Sequence, residues 1–569
     1  MSTKPYDGHG TRVTPQDRAI PGSKQVPNSA GGFAFALDNW GRLDRFLILG
    51  TEGGTYYVGE QKLTADNAKN LLRCIREDGP RVVRRAVEIS QSSRAPKNDP
   101  AIFALAACIG TGDTKTKRMA AESLSDVCRI GTHLFHFAQF VEQFRGWGRV
   151  LKRAVANWYT NQDSQDLAYQ LIKYRQRDGW SHKDLLILSH PSGPTVGHRA
   201  LYDYVVHGVY EEALRFKTVM GYELLNCPEE LTPTAVANTI REYELPREAV
   251  PTQFLKERVV WETLLEKMPL TAMIRNLGNM SKVGLLVPLS DASKLVCDTL
   301  TDGDRLAKSR VHPIQVLAAL LTYQSGRGAR GSGEWTPVSA VVDALDRAFY
   351  LSFGNVESTG QRVMLALDVS GSMGVEIQSV PGLSARAGSA AMALVTAAVE
   401  PNHVFTAFSS DKSGVAYAGW WSGSYAFSGR ESHDDVDAGM TRVTVSPRQR
   451  LDDVVNQLDR MPFGGTDCAL PMLYALKHGL KVDAFVVYTD SETWAGGIHP
   501  VQALKQYREK TGIPAKLVVV GMTATEFTIA DPDDAGMLDV VGFDTSTPQL
   551  IADFISGPRP RDPLEELLV

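Results

Sequence analysis

The hydrophobic period of this 569-residue chain changes once, near Gly360, and that change limits its possible folds more than any other feature. Upstream, apolar residues recur as on the buried stripe of a helix: Ala68, Leu71, Leu72 and Ile75 fall at i, i+3, i+4 and i+7, with Thr64 placed as an N-cap. The segments "PAIFALAACIG", "LFHFAQFVEQF", "GRVLKRAVANWY", "DLAYQLIKY", "VWETLLEKM" and "HPIQVLAALLTY" continue the pattern. They predict stacked helical hairpins from about residue 64 to 350, an irregular solenoid without a fixed-length repeat. Periodicity alone leaves open whether that array is open or closed.

Downstream, short apolar runs alternate with helical stretches: "RVMLALD", "SARAGSAAMALVTAAV", "HVFTAF", "LDDVVNQLDRM", "AFVVYTD", "HPVQALKQYREKT", "KLVVVGM" and "LDVVGF". This order predicts a doubly wound α/β domain with a mainly parallel sheet. The expected organisation is a flexible arm over 1–30, rich in Gly, Pro, Ser and charge, and a helical domain over 31–360. The α/β domain follows over 361–556, and a short tail over 557–569.

Neither an apolar leader nor a run of about 18 apolar residues occurs, so the expectation is a cytoplasmic protein without a membrane partner. The six cysteines are scattered without a CxxC pair, which argues against a disulfide framework or a zinc site. Charge is uneven. Residues 1–360 carry 44 Lys+Arg against 39 Asp+Glu, whereas 361–569 carry 16 against 26, so a polyanion should prefer the N-terminal part.

In open α/β sheets ligands bind where strands end, and the first strand ends at Asp368 with Ser370 and Ser372 in the following turn. "FGGTDCALPM" places Thr466 after a Gly-Gly turn, and "FVVYTDSETW" places Asp490 at another strand end. Carboxylates and hydroxyls without thiolate or imidazole form a hard, all-oxygen set suited to Mg²⁺, with Mn²⁺ as an alternative. A lone DxSxS fits a helix cap equally well; the two further segments favour the cation. A phosphotransferase with a nucleophilic Asp368 would want a second carboxylate two residues on, where this chain has Ser370. A metal-dependent hydrolase lacks a visible nucleophile and general base.

These five residues resemble the metal-ion-dependent adhesion site of von Willebrand factor A domains. The resemblance implies direct ligation by Ser370, Ser372 and Thr466, with Asp368 and Asp490 direct or through water. It also implies an open metal position that accepts an acidic group from a partner.

Over roughly residues 33 to 555 the chain resembles the Ro ribonucleoprotein family, bacterial orthologues included. The likeness rests on "TEGGTYYVGEQKL", "CRIGTHLF", "KYRQRDGWSHKDLLILSH", "MPLTAMIRNLGNM", "LDVSGSM", "GGTDCALPM" and "FTIADPDDAGMLDVVGFDT". It implies a TROVE domain closing a ring of HEAT-like repeats, followed by a von Willebrand A-like domain. It further implies a non-enzymatic, monomeric RNA-binding protein that takes Y RNA on the outside of the ring and single-stranded 3′ ends of misfolded noncoding RNA through it. An exoribonuclease such as polynucleotide phosphorylase is the implied partner, and RNA quality control and stress survival the implied role. A protein-interaction scaffold using the metal site is the rival expectation.

For RNA the family's positions match Lys173, Arg177 and His190. Asp166, Gln170, Lys173 and Arg177 fall at i, i+4, i+7 and i+11, which predicts one polar helical face ended by Gly179. Ser181 and Asp184 read as a capping box for the next helix, with His190 near its end. Secondary candidates are Arg129, His133, Arg149, Lys152, Arg153, Arg175 and Lys183. His133 and His136 lack a third metal ligand, and their apolar neighbours suggest packing. The stretch from Ser409 to Val445, rich in Gly, Ser, Trp and Tyr, reads as an insertion relative to vertebrate Ro proteins, and residues 220–250 as less basic than theirs.

Overall fold

The structure is a computed structural model that describes residues 13–51, 60–92, 94–144, 146–227, 231–309, 311–328, 333–353, 358–377, 383–409, 436–437, 439–443, 449–461, 464–542 and 547–556. Most of the 409–445 insertion, the 557–569 tail and the "EGGTYYVG" part of one family segment lie outside the described residues. The chain forms two units. One comprises Phe46–Gly50 with Ala65–Gly354; the other comprises residues up to Arg45, Thr51–Thr64 and everything from Asn355.

The first unit is helical, as the apolar stripes predict. Its helices bury them against sequence neighbours: Asp99–Thr111 packs on Gly131–Phe144, Lys217–Leu225 on Pro233–Tyr243, and Pro313–Gln324 on Ser339–Leu351. Phe103 makes edge contacts with Phe46 and Phe140, at ring-centroid separations of 6.1 and 5.4 Å. His312 Nε2 reaches Arg94 O at 3.2 Å and Gln315 Nε2 donates to Pro96 O at 2.8 Å, so the start of Pro313–Gln324 is bonded to the connection before Asp99–Thr111.

One expectation fails locally. Thr64 is not an N-cap, because the helix Glu60–Gln91 runs through it. That helix instead breaks at Asp78, where φ and ψ leave the helical region and Asp78 Oδ1 accepts from Arg81 N at 3.0 Å.

The second unit contains a sheet built from β5 (Val363–Asp368), β6 (His403–Phe408), β7 (Met440–Arg442), β8 (Ala484–Thr489), β9 (Lys516–Gly521) and β11 (Met537–Val541). Among the described residues its order is β11-β9-β8-β5-β6-β7, parallel except for β7 against β6. Central strands β5 and β8 are buried along their whole length, which explains their unbroken apolar sequence. Their carboxyl ends, Asp368 and Thr489, lie side by side.

Of the arm expected over residues 1–30, the described part, residues 13–30, is built into the fold. β1 (Gln25–Pro27) pairs with β2 (Phe33–Ala36), and β2 pairs with β10 (Phe527–Thr528), making a second, antiparallel sheet. Arg45, almost fully buried, pairs with Asp539 at 2.6 Å and donates to Phe527 O at 2.8 Å. Gly/Pro content signalled turns correctly, but the bonding partners lie some 480 residues away, beyond the reach of local pattern.

Candidate functional site

Asp368, Ser370, Ser372 and Asp490 come together at the carboxyl ends of β5 and β8, Thr466 is tied through its carbonyl to the loop after Asp490, and none of the five is more than 2% exposed. Asp368 Oδ1 accepts from Ser370 N at 2.9 Å, which tightens the turn after β5. Ser370 Oγ and Ser372 Oγ lie 3.0 Å apart, and Thr489 Oγ1 donates to Asp368 Oδ2 at 2.7 Å. Arg386, on the helix Ala385–Val399, donates to the carbonyls of Val369 and Ser370 at 3.1 Å each.

Burial raises the Asp368 pKa. Burial, then the neighbouring Asp368 charge, pushes Asp490 up to about 7, against an opposing hydrogen bond from Ser372. Thr466 Oγ1 is buried without a hydrogen-bond partner among the described residues, an omission that ordinarily costs about 1–3 kcal/mol. A hard cation would neutralise two acids that burial and mutual repulsion disfavour, and would occupy the orphaned hydroxyl. Among the described residues no group of three His, Cys, Asp or Glu is placed to hold a metal, so such an ion would depend on the hydroxyls.

Sequence reasoning missed the frame around this set. Thr489 was readable, being a hydroxyl next to Asp490 at a strand end. Arg386 and Glu492 carried no local signal. Glu492 Oε2 accepts from Ser29 N and Ala30 N at 2.8 and 3.2 Å, and burial raises its pKa to about 7. Trp494 N and Ala495 N both donate to Thr466 O at 3.1 Å.

The cationic candidates lie on the helical unit, in a different chemical setting. Lys173 is the last residue of the helix Ser164–Lys173; its ammonium bonds Tyr169 OH at 3.3 Å and sits 5.2 and 5.3 Å from the Tyr169 and Tyr174 ring centroids. Burial works against that charge, but the Tyr174 and Tyr169 phenols outweigh it and hold its pKa above the ordinary lysine value.

Arg177 is not on a helical face. The helix ends at Lys173, and β3 (Gln176–Arg177) pairs with β4 (Trp180–Ser181) across Asp178 and Gly179, which have φ of 52° and 79°. Two consecutive positive φ values define a tight hairpin turn that Asp-Gly adopts at little strain, and this overrides the helical spacing. His136 Nδ1 lies 2.5 Å from Asp178 Oδ2, and Trp147 packs on Trp180 at 5.3 Å, anchoring the hairpin while Arg177 stays exposed. Gln170 is not part of a free polar face either: its Oε1 accepts from Gly131 N at 3.0 Å. A Cβ at Gly131 would fall 2.9 Å from His182 Nε2, so that closely packed helix start requires glycine.

The expected capping box is present, with Asp184 N bonded to Ser181 Oγ and Ser181 N to Asp184 Oδ2. His190 caps the helix His182–Ser189 in the left-handed conformation, exposed. Arg149, Lys152 and Arg153 share one face of Arg149–Thr160 and make no ion pair among the described residues, and Lys183 is exposed at the start of the next helix. Arg175 stacks on Tyr222 at 5.0 Å and bonds its hydroxyl.

Two secondary candidates are engaged within the fold. Arg129 donates to Ser90 Oγ at 2.8 Å and Asp126 O at 3.0 Å. Burial, then the Arg129 and His136 charges, lowers the His133 pKa to about 4, so at neutral pH it supplies no cation for phosphate. His182 is a core histidine, 2.8 Å from Tyr159 OH and edge-on to Phe135, its pKa lowered by burial to about 3.

Comparison with known proteins gives two matches to family models: the TROVE domain over residues 26–224 and 243–322, and the Ro60 vWA domain over 362–555. The chain is 40% identical over 539 residues to the RNA-binding protein RO60 of Deinococcus radiodurans, covering 94% of this chain and 96% of that one. It is 34% identical to the RNA-binding protein RO60 of Caenorhabditis elegans, covering 97% and 93%. The crystal structure of the Deinococcus radiodurans RO (RSR) protein superposes with a TM-score of 0.67 at 39% identity, covering 91% of this chain and all of that one.

Proposed function

This chain belongs to the Ro60 family, and on that premise we propose that it is an RNA-binding, non-catalytic protein whose helical unit grips RNA through phosphate contacts. The supporting observation is the Asp-Gly hairpin, which holds Arg177 out in solvent between the helix end carrying Lys173 and the helix ending at His190. Arg149, Lys152, Arg153 and Lys183 extend the charge on neighbouring elements, since Arg149–Thr160 packs on His182–Ser189. Exposed cations of this kind bind nucleic acid by its backbone, without reading sequence.

In this reading the helices form a HEAT-like ring, as the bond from Gln315 to Pro96 O supports. Y RNA binds the outer surface, and single-stranded 3′ ends of misfolded noncoding RNA enter the ring. The protein then works in the cytoplasm as an adaptor to an exoribonuclease in RNA quality control. No helix among the described residues is long and apolar enough to cross a membrane.

Ser370, Ser372 and Thr466 would hold Mg²⁺, with Asp368 and Asp490 ligating directly or through water. The ion would supply positive charge and an open position for an acidic group of a partner. Trp494, 42% exposed in the loop after Asp490, favours a second reading in which that face also grips protein.

Sequencing the RNA that co-purifies in mild salt, and comparing binding of a stem with a single-stranded 3′ end against the blunt duplex, tests the proposal. Enrichment of small structured RNA and preference for the frayed stem are expected. Purified material free of RNA that ignores both probes would remove the RNA reading and leave the scaffold.

A further inference from the structure

Residues 13–25 lie outside both matched family segments, yet they supply a fully buried polar side chain beside the segment that carries Thr466. Gln16 is fully buried. Its Nε2 donates to Asp467 Oδ1 at 2.7 Å and to Ile498 O at 2.8 Å, and its Oε1 accepts from the Thr493 hydroxyl. Its backbone is held as well, with Gln16 N donating to Gly496 O and Phe33 N to Gln16 O, both at 2.9 Å. One amide side chain therefore ties the segment containing Thr466 to the loop that begins at Asp490.

The same loop fixes Thr466 directly. Besides the two amides donated by Trp494 and Ala495, Cys468 N donates to Thr493 Oγ1 at 3.2 Å, and Asp467 Oδ1 also accepts from Ala469 N at 3.0 Å. Asn28 adds an outer clamp: its Nδ2 donates to Thr493 O at 2.7 Å while its Oδ1 accepts from Gly32 N at 2.8 Å. Gly32 and Gly496 allow this close approach. A Cβ at Gly32 would fall 2.0 Å from Thr493 O, and one at Gly496 2.4 Å from Asp467 Oδ1 and Gln16 Nε2.

We infer that Gln16 is a positioning residue for the cation site: docking of residues 13–32 sets the place of the Thr466 hydroxyl, and cation binding and segment docking strengthen one another. This rests on the reading of Asp368, Ser370, Ser372, Thr466 and Asp490 as a Mg²⁺ site. Because coupling between two binding events is reciprocal, it has two independent readouts. A weakened segment must weaken the ion, and the ion must hold the segment.

The test uses the full chain and Mg²⁺ alone. Isothermal titration should show Mg²⁺ binding weakened about tenfold or more by Gln16→Ala and about threefold by Asn28→Ala, as expected for loss of buried hydrogen bonds near the ligands. In the unaltered protein, Mg²⁺ should slow tryptic cleavage after the exposed Arg18 and Lys24, and Thr466→Ala should abolish that protection. Wild-type binding with unchanged affinity in both variants, or cleavage indifferent to Mg²⁺ despite binding, overturns the inference and leaves the metal reading standing. A wild-type chain that binds no Mg²⁺ overturns both. If Gln16→Ala does not fold, Asn28→Ala and the cleavage assay on the unaltered protein decide the matter.

Discussion

The two candidate sites differ in the property that makes a site readable. At the cation set every side chain is buried, two carboxyl groups are held against their own solvation, and each backbone turn is fixed by named hydrogen bonds. Arg177 and Lys183 instead stand in water, where a cation is stable whether or not anything binds it. Burial without full pairing is informative in itself. Exposure becomes informative only when something else, here family membership, says what the charges meet.

The largest effects should separate the two regions. Asp368→Ala removes a carboxylate from the core of the cation set and is expected to abolish Mg²⁺ binding by calorimetry while leaving RNA affinity within about twofold, since sites that share no partners are usually independent. Lys173→Ala with Arg177→Ala should do the reverse: RNA binding weakens about tenfold to a hundredfold by fluorescence anisotropy, and Mg²⁺ binding is unchanged. Loss of both activities in either variant would break the comparison.

A pH series sharpens it next. Asp490 has a folded pKa of about 7 against an ordinary value of 3.8, so between those values the folded chain holds a proton that the unfolded chain has released. Stability of the metal-free protein should therefore be highest below that window and fall as pH rises through it, by a few kcal/mol at most. Urea titrations in chelator between pH 4.5 and 7.5 measure the fall, and excess Mg²⁺ should flatten it. A rise in metal-free stability over that range would contradict the placement of Asp490.

Smaller effects probe the hairpin. Gly179→Ala forces a side chain into φ of 79° and should weaken RNA binding about threefold through a strain of roughly 1 kcal/mol. His136→Ala, which removes the imidazole anchoring Asp178 and leaves that carboxylate to Arg177, should act in the same direction. His133→Ala should change neither affinity nor salt dependence, because the imidazole is already neutral; any change would return it to the phosphate-binding set.

How far the sequence revealed this molecule follows the same division. The helical stripes, the strand-helix alternation and the strand-end positions of Asp368 and Asp490 were visible because hydrophobic period and turn chemistry are local. Arg177 falls elsewhere than expected because a spacing of four residues suits a helix equally well, whereas Gly179, which reads as a helix stop, is half of the Asp-Gly turn that makes the hairpin. The docking of residues 13–32 left no periodic trace because its partners, the Asp467 and Thr493 side chains and the Ile498 carbonyl, are far away in sequence and bonded through polar atoms. Arg386 was invisible for a related reason: its role is set by two carbonyls on a turn it does not belong to.

The most direct test of the central claim, that exposed cations on the helical unit hold RNA by its backbone, is the salt dependence of binding to a single-stranded RNA. The slope of log affinity against log salt should be steep in the unaltered protein and shallower by about 1.4 in the Lys173→Ala, Arg177→Ala variant, at roughly 0.7 for each phosphate no longer neutralised. An identical slope in both proteins would contradict it.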